Sequence, residues 1–220
     1  MVRGTPGKVL GGTMCALLDV ASKLPVTIWF DPDAVGNDHR FHEQIMAALP
    51  DRTLLLMDAG FYAFPFFDWF TATDRAFVIP ARTIAACSVT ASLSSSPTLS
   101  DRIIQLGTDR SNLCTHPVRL LEVLIGNRWH RSLTNVLDPA ILAPAAIVDL
   151  YSRRWRIEDA FHIAKRLLGL SYLWSSSANS IALQVWATWI MYAVLVDLTD
   201  AVASELDQPL DALSMELVYR

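Results

Sequence analysis

Cysteine is scarce in this sequence. Its 220 residues hold three, Cys15, Cys87 and Cys114, too few and too scattered for a disulfide framework or a CxxC metal site. They read as thiols of a reducing, cytoplasmic compartment. His42, His116, His130 and His162 include no HExxH spacing, which excludes the common zinc-hydrolase pattern and leaves structural or surface roles. Charge is thin as well. Charged residues make up 18% of the chain and hydrophobic ones 52%, a balance that excludes a disordered polymer. The net charge of −4 counts against a protein whose whole surface grips nucleic acid. No apolar run of signal-peptide length opens the sequence. The longest apolar stretch, Ile181 to Val196, is broken by Gln184 and Thr188 and is shorter than the ~20 residues that cross a bilayer. It is expected to be a buried core helix, with no membrane partner.

What is present suits one good core with room for an inserted subdomain. Residues 1–11, rich in glycine, read as a loop. Thr13 to Val20 and Pro25 to Phe30 are short apolar runs around a polar turn, the pattern of an antiparallel hairpin. Asp31, Asp33 and Asp38 sit among Pro, Gly and Asn in turn chemistry. Helical spacing follows from His39 to Leu49, closed by Pro50. Phe64 to Thr73 is a further, aromatic helix, and Ala76 to Ile79 a short strand. Between Thr83 and Asp138 serine and threonine accumulate, and alternating runs at 103–106, 118–125 and 129–133 indicate a small β-rich insertion. A long helix is expected from about Asn179 to Glu205.

Two stretches carry candidate chemistry. The run Thr53–Met57 is apolar throughout, which predicts a strand buried on both faces, central in an α/β sheet. It ends in Asp58 and is followed by Gly60, Phe61 and Tyr62. Open α/β sheets place their chemistry at such strand ends; the plainer alternative is a turn carboxylate capping the next helix. The second stretch, 145–168, contains no Pro or Gly and predicts a helix of several turns. At ~100° per residue, Leu150, Ile157, Ala160, Phe161, Ala164, Leu167 and Leu168 share one apolar arc facing a core. Tyr151, Arg154, Glu158 and Lys165 form a stripe beside that arc. Helix ion pairs on a solvated shoulder would explain such a stripe equally well. Arg153, Arg154, Arg156, Lys165 and Arg166 against Glu158 and Asp159 make the stretch locally basic, compatible with DNA contact. His162 lies one turn from Glu158. Trp155 and Trp174 could stack on an unpaired base, although packing is the commoner use of tryptophan.

The spacing Tyr151, Arg154, Glu158, Lys165, with Arg-Arg-Trp-Arg-Ile-Glu around it, resembles the signature of a large group of bacterial insertion-sequence transposases of the DDE class. Asp58 with Gly60-Phe61-Tyr62 resembles the strand end that carries the second acid in that group, with Ala59 in place of its usual Arg. The resemblance extends from about Gly11 to Arg220. It implies an α/β, ribonuclease H-like mixed sheet with flanking helices and a β-rich insertion before the signature helix. It also implies a division into 1–82, the first part of the catalytic core, 83–138, the insertion, and 139–220, the helical second part. Asp58 and Glu158 would be two members of an Asp-Asp-Glu set close enough to share Mg²⁺ or Mn²⁺. Tyr151, Arg154 and Lys165 would contact double-stranded DNA at transposon ends, in a synaptic complex of two copies. The group's first Asp stands on a first core strand in an Asp-Gly-Ser/Thr stretch, and neither that strand nor that stretch is found here. Asp19 belongs to the hairpin turn and does not replace it. The expectation is therefore a DDE catalytic region acting in transposition by metal-dependent strand cleavage and transfer. The alternative is a truncated, inactive remnant that retains DNA or partner binding.

Overall fold

A computed structural model describes residues 2–3, 9–81, 86–107 and 113–220. By their contacts the residues form two compact units, Met1–Gly36 with Trp155–Arg220, and Asn37–Arg154. The expected division at 82/83 falls outside the described residues.

In the first unit, β1 (Val2–Arg3) and β2 (Val9–Leu10) pair antiparallel where a loop was expected; residues 4–8 of that expected loop lie outside the described residues. The apolar runs after them form the expected hairpin, β3 (Thr13–Leu18) against β4 (Pro25–Asp31). Asp19 builds its turn: one carboxylate oxygen accepts from the backbone of Ala21 and Ser22 and from the Ser22 hydroxyl. These bonds, the Ser22 backbone first, hold the Asp19 carboxyl below the usual range, so this acid is committed to the turn. The remaining elements of the unit are helical.

In the second unit, a 3₁₀ turn at Asp38–Phe41 leads into α1 (His42–Ala48). β5 (Leu54–Leu56) then pairs parallel with β6 (Ala76–Pro80), with α2 (Phe64–Ala72) between them. The α2 rings fill the space over the sheet: Phe67 stacks on Phe77 at 4.7 Å and Phe70 meets it edge-on at 5.5 Å. Four further strands, β7 (Cys87–Ser96), β8 (Leu99–Leu106), β9 (Val118–Ile125) and β10 (Arg128–Thr134), are antiparallel neighbours. They extend the same sheet, in the order β5-β6-β10-β9-β8-β7.

Two expectations change here. β5 is an edge strand with half-buried side chains, not a central one. An apolar run reports that side chains are shielded; it does not count strand neighbours. The serine-rich stretch 87–96 is a full strand, exposed along its whole length. With no buried face it had no apolar alternation to betray it, and two register shifts along it blunt the open edge.

Candidate nucleic-acid and metal-binding residues

The signature stretch is not one continuous rod. α3 runs from Pro144 to Arg153, with Pro144 at its first turn, where its missing N–H costs nothing. Arg154 keeps helical angles, but its N–H bonds back to the Tyr151 carbonyl at 3.2 Å, a tighter three-residue turn. α4 resumes at Trp155–His162 and passes into a π-helical turn, Ile163–Leu167, closed by Leu168 N–H on the Ile163 carbonyl at 3.0 Å. Gly169, at φ +80°, ends the helix in the left-handed conformation that favours glycine. Beyond it the Ser171 amide and hydroxyl both donate to the Lys165 carbonyl. The backbone at Lys165 is thereby pinned while its side chain stays exposed.

This break divides the apolar arc that was expected to face a single core. Ile147, Leu150 and Tyr151 pack with Val78 and Leu121 in the second unit. Ala160, Phe161, Ala164, Leu167 and Leu168 pack with Trp189 and Tyr192 in the first. A helical wheel assumes a straight axis and one uninterrupted helix, and the turn at Arg154 removes that assumption.

Tyr151 and Arg154 are brought together, with the guanidinium 5.4 Å from the ring centroid. The Lys165 ammonium lies over the Phe161 ring, 5.4 Å from its centroid. The lysine stem also lines a cavity of about 620 Å³ whose walls include Met14, Phe30, Phe161, Leu173 and Val185. Glu158 is half-buried in the first turn of α4. Asp58 stands just past β5, where Met57 N–H still bonds to the Val78 carbonyl. Its side chain accepts from Ala59 N–H at 2.7 Å and caps the 3₁₀ turn Ala59–Phe61. The capping role foreseen for this acid is therefore present. Asp58 belongs to one unit and Glu158 to the other.

The neighbouring basic residues do not act as a group. Arg156 donates to the Val20 carbonyl and, at 2.5 Å, to Asp211, which also pairs with Lys23 at 2.6 Å. It ties the β3–β4 turn to the C-terminal 3₁₀ helix Leu210–Ala212 and is committed to structure. Arg153 pairs with Asp149 one turn back. Trp155 and Trp174 are largely exposed, by 61% and 86%. Among the described residues, no group of three or more His, Cys, Asp or Glu side chains is placed to hold a metal ion.

Residues 5–194 match the family model of the transposase DDE domain. The chain belongs to the DDE transposase family. A comparison with curated proteins found no match. The matched segment of this transposase contains Asp58, Tyr151, Arg154, Glu158 and Lys165, and its mixed α/β fold with a six-stranded mixed sheet is of the ribonuclease H-like kind. Its functional class is DNA transposition.

Some residues that shape this transposase's fold escaped sequence reasoning. Asp68 accepts from the Thr115 and His116 amides, from the His116 ring at 3.0 Å and from the Cys114 thiol. Arg119 and Asp101 form a bidentate pair at 2.7 and 2.6 Å with side chains 0% and 1% exposed. A signal for that pair did exist: one arginine inside the apolar run Val118–Leu121, and one aspartate on the facing strand.

Proposed function

We propose that this chain binds transposon-end duplex DNA through Tyr151, Arg154 and Lys165, and that Asp58 and Glu158 are two acids of a Mg²⁺- or Mn²⁺-dependent centre for strand cleavage and transfer. The family match across residues 5–194, with the four signature positions inside it, carries this reading. Arg154 over Tyr151 and Lys165 on its pinned turn supply cations for phosphate contact, and their stacked or apolar-backed stems limit the rotamer freedom lost on binding. Two carboxylates alone do not hold the pair of ions about 4 Å apart that stabilises both attacking and leaving oxygens. The expected behaviour of the 220-residue chain is therefore end binding without turnover. Two copies would bring two ends together in a synaptic complex.

The test uses purified chain with a linear duplex ending in the terminal sequence of the encoding element, and a scrambled duplex as control. Retention of the end duplex at low salt, weakened in Lys165→Ala and Arg154→Ala, is expected. No binding would overturn the DNA reading. Metal-dependent nicking at the end, abolished in Glu158→Gln, would show that another residue completes the acid set.

A further inference from the structure

α5 (Ala178–Glu205) is apolar on both sides, and among the described residues only one side is covered. Ile181, Val185, Trp189, Tyr192, Leu195 and Val196 lie in the core of the first unit. On the opposite face Leu183, Trp186, Ile190, Met191, Val194 and Leu198 are exposed, Leu183 by 72% and Ile190 by 62%. Their spacing follows the helical repeat, so they form one stripe about 22 Å long. An apolar stripe of this size on a polar-rimmed protein marks an interaction surface.

We propose that this stripe is a self-association surface, on which α5 of a second copy packs antiparallel, without need of DNA. Such a surface is independent of the transposase reading. Six large apolar side chains along this face are 46–72% exposed, and because a standard stable interface takes ~800 Å² from each partner, the contact extends over the flanks of α5 as well. Charge selects the direction. α5 contains no Lys or Arg, and its acids Asp197, Asp200 and Glu205 all lie in the last third. A parallel pair would set these acids against each other. An antiparallel pair sets them beside the uncharged N-terminal end, capped by Ser177, where the helix dipole is positive.

Shape selects the register. Past Leu198 the stripe opens into a groove of about 420 Å³ lined by Leu198, Val202, Leu213 and Leu217, and Leu217 is 75% exposed. With a two-fold axis between Ile190 and Met191, Leu183 of one copy meets Leu198 of the other and enters this groove. Such an isologous contact uses the protruding end and the receiving end twice.

A bilayer is a poorer occupant, although α5 has the length and composition of a membrane-crossing helix. Its covered face holds Gln184, bonded to Trp174 and Tyr172 backbone groups, and Thr188 and Thr199, bonded within the helix. The acids at its end would also be repelled by anionic lipid.

Sedimentation velocity of the whole chain across a wide concentration range, without DNA, should show a monomer–dimer equilibrium. Ile190→Asp should weaken the dimer by about thirtyfold or more, as loss of a central anchor does, with helical circular dichroism unchanged. In a Cys87→Ser background, Ile190→Cys and the Leu183→Cys/Leu198→Cys pair should each cross-link on oxidation, while Leu183→Cys alone should not. A chain that stays monomeric, a dimer indifferent to Ile190→Asp, or equally fast cross-linking of Leu183→Cys alone overturns the proposal. So does a monomer that binds neutral phosphatidylcholine vesicles through this face.

Discussion

Removing the Asp101 carboxylate should unfold the Asn37–Arg154 unit more readily than any exposed charge change in it. Arg119 is fully buried, and its guanidinium makes three short bonds: two to Asp101 and one, from Nη1 at 2.7 Å, to the Leu142 carbonyl. Asp101→Ala leaves a cation without its counter-charge where water does not reach, a change that costs about 3–5 kcal/mol. That is a large share of the ~5–15 kcal/mol that holds a domain together. In urea titrations followed by tryptophan fluorescence, the midpoint should fall sharply with little change in slope. Asp101→Asn keeps one acceptor and should cost less. Asp101→Leu with Arg119→Met removes both charges for apolar groups of similar bulk, and should recover most of the loss, because the penalty belongs to the unpaired ion and not to the pair's absence. The Leu142 bond gives the pair a second role, since Leu142 lies two residues before α3 begins. Asp101→Ala should therefore also speed amide exchange in the first turn of α3. A cost under about 1 kcal/mol for Asp101→Ala would refute this reasoning, as would a double variant as unstable as the sum of the single ones.

Three further outcomes are expected. Arg154→Ala and Lys165→Ala should each lower the salt slope of DNA binding by about one, whereas Arg156→Ala should reduce stability and leave that slope unchanged, which filter binding at graded salt would show. Asp68 is raised by burial but lowered further by the Thr115 and His116 bonds, so its carboxyl lies below the usual range. With the folded value depressed, its contribution is complete above the unfolded value near ~4 and is lost as pH falls through the folded value; acid unfolding of Asp68→Asn should lack that part of the pH dependence. Burial, and then Asp68, push the Cys114 thiol up to about 12, Cys15 is also buried, and Cys87 is exposed. Native chain at about pH 8, near the ordinary thiol range, should thus release one equivalent with a thiol reagent, and denatured chain all three; fast labelling of Cys114 in the native chain would contradict the structure.

Much of the local architecture was legible in the residues. The hairpin, α1, α2, β6 and α5 follow from apolar periodicity and from turn and helix-stop residues, because each period has to match the face an element buries. The family was legible too: four residue types at three fixed gaps resemble its signature, and the match over 5–194 agrees with them. Asp58 at a strand end was also readable, since an apolar run that stops at an acid followed by Gly has few other forms.

Tertiary structure decided the rest. No periodicity distinguishes an edge strand from a central one, so β5 was placed only by its pairing with β6 alone. The wheel that gathered Leu150 with Ala160 and Ala164 could not foresee the turn at Arg154 that sends them to different cores. Arg156 is as basic as Arg154 in the sequence. Only the chain's return at Val20 and Asp211, residues 136 and 55 positions away, turns it from a DNA candidate into a structural tie. The sequence by itself determined most of the elements and the family to which they belong, because periodicity, turn residues and motif spacing depend on neighbours within a few turns. Which charges are buried, paired or left facing solvent depended on contacts between distant segments, which local spacing does not encode.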